Sequence, residues 1–83
     1  MTYRIDWSEG ALNAAARFLK EDPEGLEQVF ASVNLLAADP RPDGSTPYGS
    51  DNLCRIHVGR YRVIYEIEES TISIGVMTLG WVP

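Results

Sequence analysis

The sequence predicts a two-layer α+β domain, in which a helical hairpin packs on one face of a mainly antiparallel sheet. Three stretches alternate apolar and polar residues with the period of a β-strand, and the second of these contains a tight turn. Between the first and the second of these stretches, two consecutive segments repeat apolar residues every three or four positions, as amphipathic helices do. The predicted order of elements is therefore β-α-α-β-β-β.

The length and composition describe one domain, residues 1–83, with an ordinary 45% of hydrophobic residues. No apolar run approaches the roughly 18 residues of a membrane span, and no basic and apolar leader opens the chain. We therefore expect a cytoplasmic protein that does not contact a membrane. The single cysteine, Cys54, cannot form an internal disulfide and has no neighbouring ligand set for zinc, so it is expected in the core. No motif for a metal or a cofactor is present.

The N-terminal half carries the first strand and both helices. Residues 2–7 alternate Tyr3, Ile5 and Trp7 with polar residues, which predicts a half-buried strand. Ser8 is a candidate N-cap for a first helix that ends near Glu21. The apolar stripe expected on this helix consists of Ala11, Leu12, Ala15, Phe18 and Leu19.

The second helix is predicted to begin at Asp22-Pro23, because Asp caps helices and Pro is favoured at the first helical position. Asp39-Pro40 stops it. Residues 41–52 hold two Pro and two Gly without an apolar period and predict an exposed loop, whose glycines do not match a phosphate-binding motif. The expected core comprises Phe18, Leu26, Phe30, Val33, Ile56, Val63 and Ile74.

Residues 53–68 predict a β-hairpin with a basic face. Alternation places Arg55 and His57 on one side of the first arm, and Arg62 on the corresponding side of the second arm. Gly59-Arg60 forms the turn. Residues 53–65 contain three Arg and no acid, whereas residues 1–52 hold four basic and nine acidic groups. A last strand follows over residues 71–79 and is apolar enough on both sides to be central.

Three segments resemble the RelE/ParE toxin superfamily of bacterial toxin–antitoxin systems: YRIDWS from Tyr3, DPRPDGS from Asp39, and above all RIHVGRYRVIYE from Arg55. The resemblance implies a small toxin encoded beside an antitoxin that binds and suppresses it. RelE-type members cleave mRNA in the ribosomal A site, whereas ParE-type members poison DNA gyrase.

The resemblance to RelE implies that Arg55, His57 and Arg62 form a catalytic site. Two Arg side chains can bind phosphate oxygens, and an imidazole can transfer a proton near neutral pH. Arg41 and Tyr48 of the loop and Arg60 of the turn are expected to contact the RNA, with the ribosome and its mRNA as partners.

Two alternatives to this site remain. The basic face of the hairpin is equally explained as a solvated strand face, with Arg62 paired to a Glu on a neighbouring strand. The chain also departs from RelE-like toxins after Gly80, where Trp81, Val82 and Pro83 replace the basic residues and the tyrosine of the family. Weak cleavage is one expectation. The other is a noncatalytic member, either a ParE-like gyrase inhibitor or a degenerate protein that binds only its antitoxin.

Overall fold

The computed structural model describes residues 2–82 and contains two helices and a five-stranded sheet. The strands are β1 (Arg4–Trp7), β2 (Thr46–Pro47), β3 (Leu53–Val58), β4 (Tyr61–Glu68) and β5 (Ser73–Trp81), and the helices are α1 (Glu9–Glu21) and α2 (Pro23–Leu35). The sheet has the order β1-β5-β4-β3-β2. The pair β1–β5 is parallel and the other three pairs are antiparallel.

This architecture confirms the predicted fold class, and the two predicted caps explain where the helices begin. Ser8 accepts a hydrogen bond from the backbone N–H of Ala11, and Asp22 accepts one from that of Gly25. Pro23 occupies the first turn of α2. Because only Asp22 separates the helices, the two form a hairpin that covers one face of the sheet.

The prediction of a loop over residues 41–52 was wrong at one point, because Thr46 and Pro47 form the edge strand β2. Thr46 pairs with Arg55 and Pro47 pairs with Cys54. Pro cannot donate a ladder hydrogen bond and is therefore confined to edge strands. A two-residue strand with a Pro carries no period-2 signal, so alternation could not reveal it.

The core lies between the helical hairpin and the sheet. Of the seven predicted core residues, Leu26, Val33, Ile56, Val63 and Ile74 are buried, whereas Phe18 and Phe30 are partly buried and pack against them. On α1 the buried residues are Ala11, Ala14 and Ala15. Leu12 and Leu19 are exposed, which corrects the predicted stripe.

A β-bulge in β5 changes which side chains of this strand face the core. Val76 pairs with Tyr65 and Thr78 pairs with Ile64, so that Met77 is the additional residue. Beyond the bulge the alternation changes phase: Leu79 is buried while Thr78 is exposed. The strand is central, as predicted, because it lies between β1 and β4.

Candidate functional site

The two arms of the hairpin place their basic side chains on the face of the sheet that the helices leave uncovered. On β3, Cys54 and Ile56 are buried, while Arg55 and His57 alternate with them and point to the other side. On β4 the residues at odd positions are buried and Arg62 lies on the uncovered side. We call this side the open face.

Strand register brings the three predicted catalytic residues together. His57 lies directly opposite Arg62, and Arg55 lies opposite Ile64, two residue pairs further along and therefore on the same face. Opposed side chains begin about 5 Å apart and diagonal ones about 7 to 8 Å apart. Arg55, His57 and Arg62 can therefore all reach one group of phosphate size above the sheet.

The turn that joins the arms fixes this register. Gly59 has a φ of 61°, in the left-handed region that a two-residue turn of this kind requires at its first position. Any residue with a Cβ would be strained there. Gly59 therefore determines which side chains of β3 and β4 face each other.

The two site arginines carry unused donors. The Nε atoms of Arg55 and Arg62 are buried and have no hydrogen-bond partner within residues 2–82. Within the same residues, the salt bridges are Arg4–Asp6 and Arg41–Glu69, and neither includes Arg55 or Arg62. The alternative in which Arg62 pairs with a Glu on a neighbouring strand thus has no ion pair in the described chain to support it.

Tyr48 and Arg60 extend the basic face in opposite directions. The guanidinium of Arg55 stacks over the ring of Tyr48 at 5.7 Å, so the loop residue lies at the β2 side of the site. The guanidinium of Arg60 stacks over Trp81 at 5.6 Å. This second stack and His57 line a broad depression of about 800 Å³ at the turn end of the hairpin.

Arg41, the third residue expected to contact RNA, lies apart from the other two. Its guanidinium donates to the backbone oxygen of Asp51 at 3.2 Å and to Asn52 Oδ1 at 3.3 Å, and it lies 3.6 Å from Glu69 Oε1. These contacts bind the loop to the far end of β4. The structure does not bring Arg41 together with Arg55, His57 and Arg62.

The charge on the open face changes sign along β4. Arg62, Ile64, Glu66 and Glu68 follow one another at alternate positions on the same side of the strand. A hydrogen bond to Glu68, together with its charge, raises the pKa of Glu66 above its ordinary value. The face therefore has a cationic end nearer the turn and an acidic end at the far end of β4.

The two tryptophans of the chain lie in different surroundings. Trp7 packs edge-on against Phe30 with ring centroids 5.6 Å apart. The Trp81 side chain is instead about half exposed, at 48%, and pairs with Arg60. A tryptophan near a chain end gives no periodic signal from which its exposure could have been predicted.

Within residues 2–82 no three His, Cys, Asp or Glu side chains are close enough together to hold a metal ion. None of the helices in that range is long and apolar enough to cross a membrane. Cys54 is a free, buried thiol, as predicted. The chemistry that the cationic end of the open face offers is therefore that of two guanidinium groups and one imidazole.

Comparison with known proteins agrees with this architecture. A family model described as the ParE toxin of the type II toxin–antitoxin system parDE matches residues 3–80. Comparison with curated proteins gives no match.

Three solved structures illustrate the shared fold. A free Escherichia coli RelE toxin with two Arg-to-Ala substitutions has a TM-score of 0.81 at 22% identity, covering 98% of this chain and 84% of that chain. The toxin–antitoxin complex RelBE2 of Mycobacterium tuberculosis has a TM-score of 0.80 at 17% identity, and the match covers 98% of this chain and 99% of that chain. A YoeB/ParE toxin of Agrobacterium tumefaciens has a TM-score of 0.81 at 13% identity, and the match covers 96% of this chain and 99% of that chain. On the family match and the fold, this chain belongs to the ParE toxin family of type II toxin–antitoxin systems, within the RelE/ParE superfamily.

Proposed function

We propose that this toxin inhibits translation by weak, ribosome-dependent cleavage of mRNA at the open face. The observation that carries the proposal is the convergence of Arg55 and Arg62, neither of which is in a salt bridge within residues 2–82, beside His57 on the open face. Two neighbouring cations without a carboxylate partner attract an anionic ligand. A phosphodiester oxygen is an acceptor of suitable charge and geometry for a guanidinium.

The chemistry assigns one role to each group. The ribose 2′-OH attacks the adjacent phosphorus, a 2′,3′-cyclic phosphate forms, and the 5′-oxygen leaves with a proton. Arg55 and Arg62 stabilise the negative charge that develops on the phosphoryl oxygens. At the cationic end of this face, His57 transfers the proton, either from the 2′-OH or to the leaving oxygen. With a single imidazole for two proton transfers, we expect a slow reaction.

Mapping of mRNA 5′ ends on translating ribosomes after induced expression tests the cleavage. Wild type should produce new 5′ ends, and Arg62→Ala should lower their yield by about 10² to 10³, the usual cost of removing one group that stabilises transition-state charge. Arg4→Ala is the matched control, because Arg4 is an arginine of β1 that is exposed and paired to Asp6. Arg4→Ala should cleave like wild type.

His57→Ala distinguishes proton transfer from simple binding. Its cleavage should be slower than that of wild type, and the residual rate should lose the pH dependence that proton transfer by the imidazole gives to wild type. A residual rate that keeps the pH profile of wild type would remove His57 from the mechanism.

A noncatalytic toxin is the second candidate, and one observation favours it. RelE-like toxins carry basic residues after the glycine of the last strand. In this chain the residue after Gly80 is Trp81, and its ring stacks with Arg60. Intact mRNA on arrested ribosomes at high wild-type toxin concentration would reject cleavage. Inhibition of DNA gyrase supercoiling by the same preparation would then support a ParE-like activity.

We further propose that a cognate antitoxin binds the helical layer or the free edge of β5. Relatives of this fold have been solved with their antitoxins, including E. coli RelBE and an archaeal RelE–RelB complex. The pairing of β1 with β5 ends at Trp7 and Val76, so within residues 2–82 the segment from Met77 to Trp81 has no strand on that side. Such an edge can accept an added strand. Failure to co-purify with the product of an adjacent reading frame would contradict the proposal.

A further inference from the structure

Gly80 on β5 lies beside the candidate cation site and has no evident structural reason to be a glycine. It pairs directly with Arg62, and it is not among the glycines with a positive φ. A Cβ built on Gly80 would meet no heavy atom within 4 Å in the described part of the chain. Glycine in a strand interior weakens the strand, and it often marks a place where another backbone or a ligand approaches closely.

The open face above β5 is correspondingly bare. The register places Gly75, Thr78 and Gly80 on this face, opposite Glu66, Ile64 and Arg62 of β4 in that order. We call the strip formed by these three β5 residues the glycine track. A built Cβ on Gly75 also meets nothing within 4 Å among residues 2–82. At Gly75 and Gly80 the β5 backbone is therefore uncovered on the open face, whereas the neighbouring residues of β4 carry larger side chains.

Charge distinguishes the two ends of the glycine track. Gly80 lies next to Arg62, whose buried Nε has no partner among the described residues, and His57 follows on the far side of Arg62. Gly75 lies between Glu66 of β4 and Asp6 of β1, both acidic. A polyanion would thus be held at the Gly80 end and repelled at the Gly75 end.

We propose that Gly80 is a binding position for the sugar-phosphate backbone of a single RNA strand. The strand lies on the β5 backbone at Thr78 and Gly80, places one phosphate against Arg62 and does not extend to Gly75, which lies between two acidic residues. The inference rests on the proposed function and adds to it the path of the substrate across the sheet. A side chain at residue 80 would raise the RNA strand above the β5 backbone and move the phosphate away from the guanidinium of Arg62.

The substitution Gly80→Val tests this directly, with Gly80→Ala as a milder version and Gly75→Val as the matched control on the same strand and face. Valine is favoured in strands, so neither Gly80→Val nor Gly75→Val should lower the melting temperature. The binding probe is a fluorescein-labelled 2′-O-methyl RNA oligonucleotide, which cannot be cleaved because its 2′-oxygen is blocked. Fluorescence anisotropy gives the affinity.

We expect wild type and Gly75→Val to bind the probe with similar affinity, and Gly80→Val to bind at least about tenfold more weakly, a loss of 1.4 kcal/mol. Gly80→Ala should lie between them. In wild type, addition of the probe should shift the backbone amide NMR signals of Gly80 and Thr78 more than that of Gly75. This measurement does not depend on the folding of any variant.

The outcomes separate the two proposals. If wild type binds the probe but leaves ribosomal mRNA intact, cleavage is rejected. The proposed binding position at Gly80 is then decided by the probe affinities of Gly80→Val and Gly75→Val. Equal binding by folded wild type and Gly80→Val, or amide shifts confined to other strands, would overturn the track alone. Absence of any binding by wild type would overturn the track together with the RNA-binding function.

Discussion

At the scale of single residues, two tyrosines of β4 fasten the hairpin to the rest of the chain through their hydroxyl groups. Tyr61 donates to Asp22 Oδ2 at 2.9 Å, at the junction of the two helices, and Tyr65 donates to the backbone oxygen of Pro40 at 2.6 Å. Burial raises the pKa of Tyr65 to about 12, so this hydroxyl remains a donor throughout the physiological range. Both rings are buried on the side of β4 opposite to the open face, so their hydrogen bonds hold the strand that carries Arg62 in place.

The contact between Tyr61 and Asp22 makes a prediction about pH. The hydroxyl of Tyr61, followed by the backbone N–H of Gly25, lowers the pKa of Asp22 below its ordinary 3.8. A carboxyl with a lowered folded-state pKa contributes stability above its unfolded pKa, and that stability is lost as pH falls through the folded value. Tyr61→Phe should therefore destabilise the protein at pH 7, and the deficit should shrink under acid conditions.

Urea titration of wild type and Tyr61→Phe at pH 7 and at about pH 3 measures both deficits. Tyr48→Phe is the control, since Tyr48 is exposed on the loop and its hydroxyl has no role in this contact. A deficit of equal size at the two pH values would mean that the hydroxyl does not act through the charge of Asp22.

Residue types also explain which parts of the site were predictable. Arg55, His57 and Arg62 were placed on one face by alternation alone, because the side-chain period of a strand is two. The partners of these residues could not be predicted in the same way. The stack of Arg55 on Tyr48 depends on how a loop rich in Pro and Gly folds back, and Arg41 is occupied by Asp51 and Asn52 of that same loop.

At the scale of secondary-structure elements, α2 contributes more to the core than α1. The buried residues of α2 are Leu26, Val29 and Val33, whereas those of α1 are three alanines. The small side chains let α1 lie close to β5, and Leu12 and Leu19 are left exposed beside the contact. Periodicity identified both helices but did not show that alanines, rather than leucines, form the inner side of α1.

Phe30→Ala should destabilise the protein by about 3 kcal/mol, the lower end of the usual range for removing a phenylalanine. The lower end applies because Phe30 is partly buried and packs edge-on against Trp7. Chemical denaturation measures the loss. Leu35→Ala on the same helix is the control, since Leu35 is 72% exposed, and a change within about 0.5 kcal/mol is expected. A near-silent Phe30→Ala would contradict the packing of α2 on β1.

At the scale of the whole molecule, a net charge of −5 coexists with a face that is proposed to bind a polyanion. The chain measures 36 × 20 × 19 Å, so the helical layer and the open face are separated by roughly the thickness of the molecule. Glu24 and Glu27 lie exposed on α2, in the layer opposite to Arg55 and Arg62. The distribution of charge, rather than its sum, therefore decides whether RNA is attracted.

The sequence supported the global fold because strand and helix periods extend through most of the chain. It could not reveal the edge strand β2 or the bulge at Met77, because each involves only one or two residues. The parallel pairing of β1 with β5 joins the two ends of the chain, and no local pattern encodes such a pairing. The glycine track depends on both the bulge and this pairing and so needed the structure.

The separation of charge makes a last prediction, concerning the rate of RNA association. At physiological ionic strength charges are screened over about 8 Å, whereas at 0.01 M salt they act over about 30 Å, beyond the thickness of this molecule. The double variant Glu24→Gln/Glu27→Gln should therefore bind the 2′-O-methyl RNA probe faster than wild type at low salt and at the same rate at physiological salt. Arg62→Ala should bind more weakly at both, because its contact is direct. Stopped-flow fluorescence at the two salt concentrations measures these rates. Faster binding by the double variant at physiological salt would show that the helical layer itself approaches the RNA, contrary to a site on the open face.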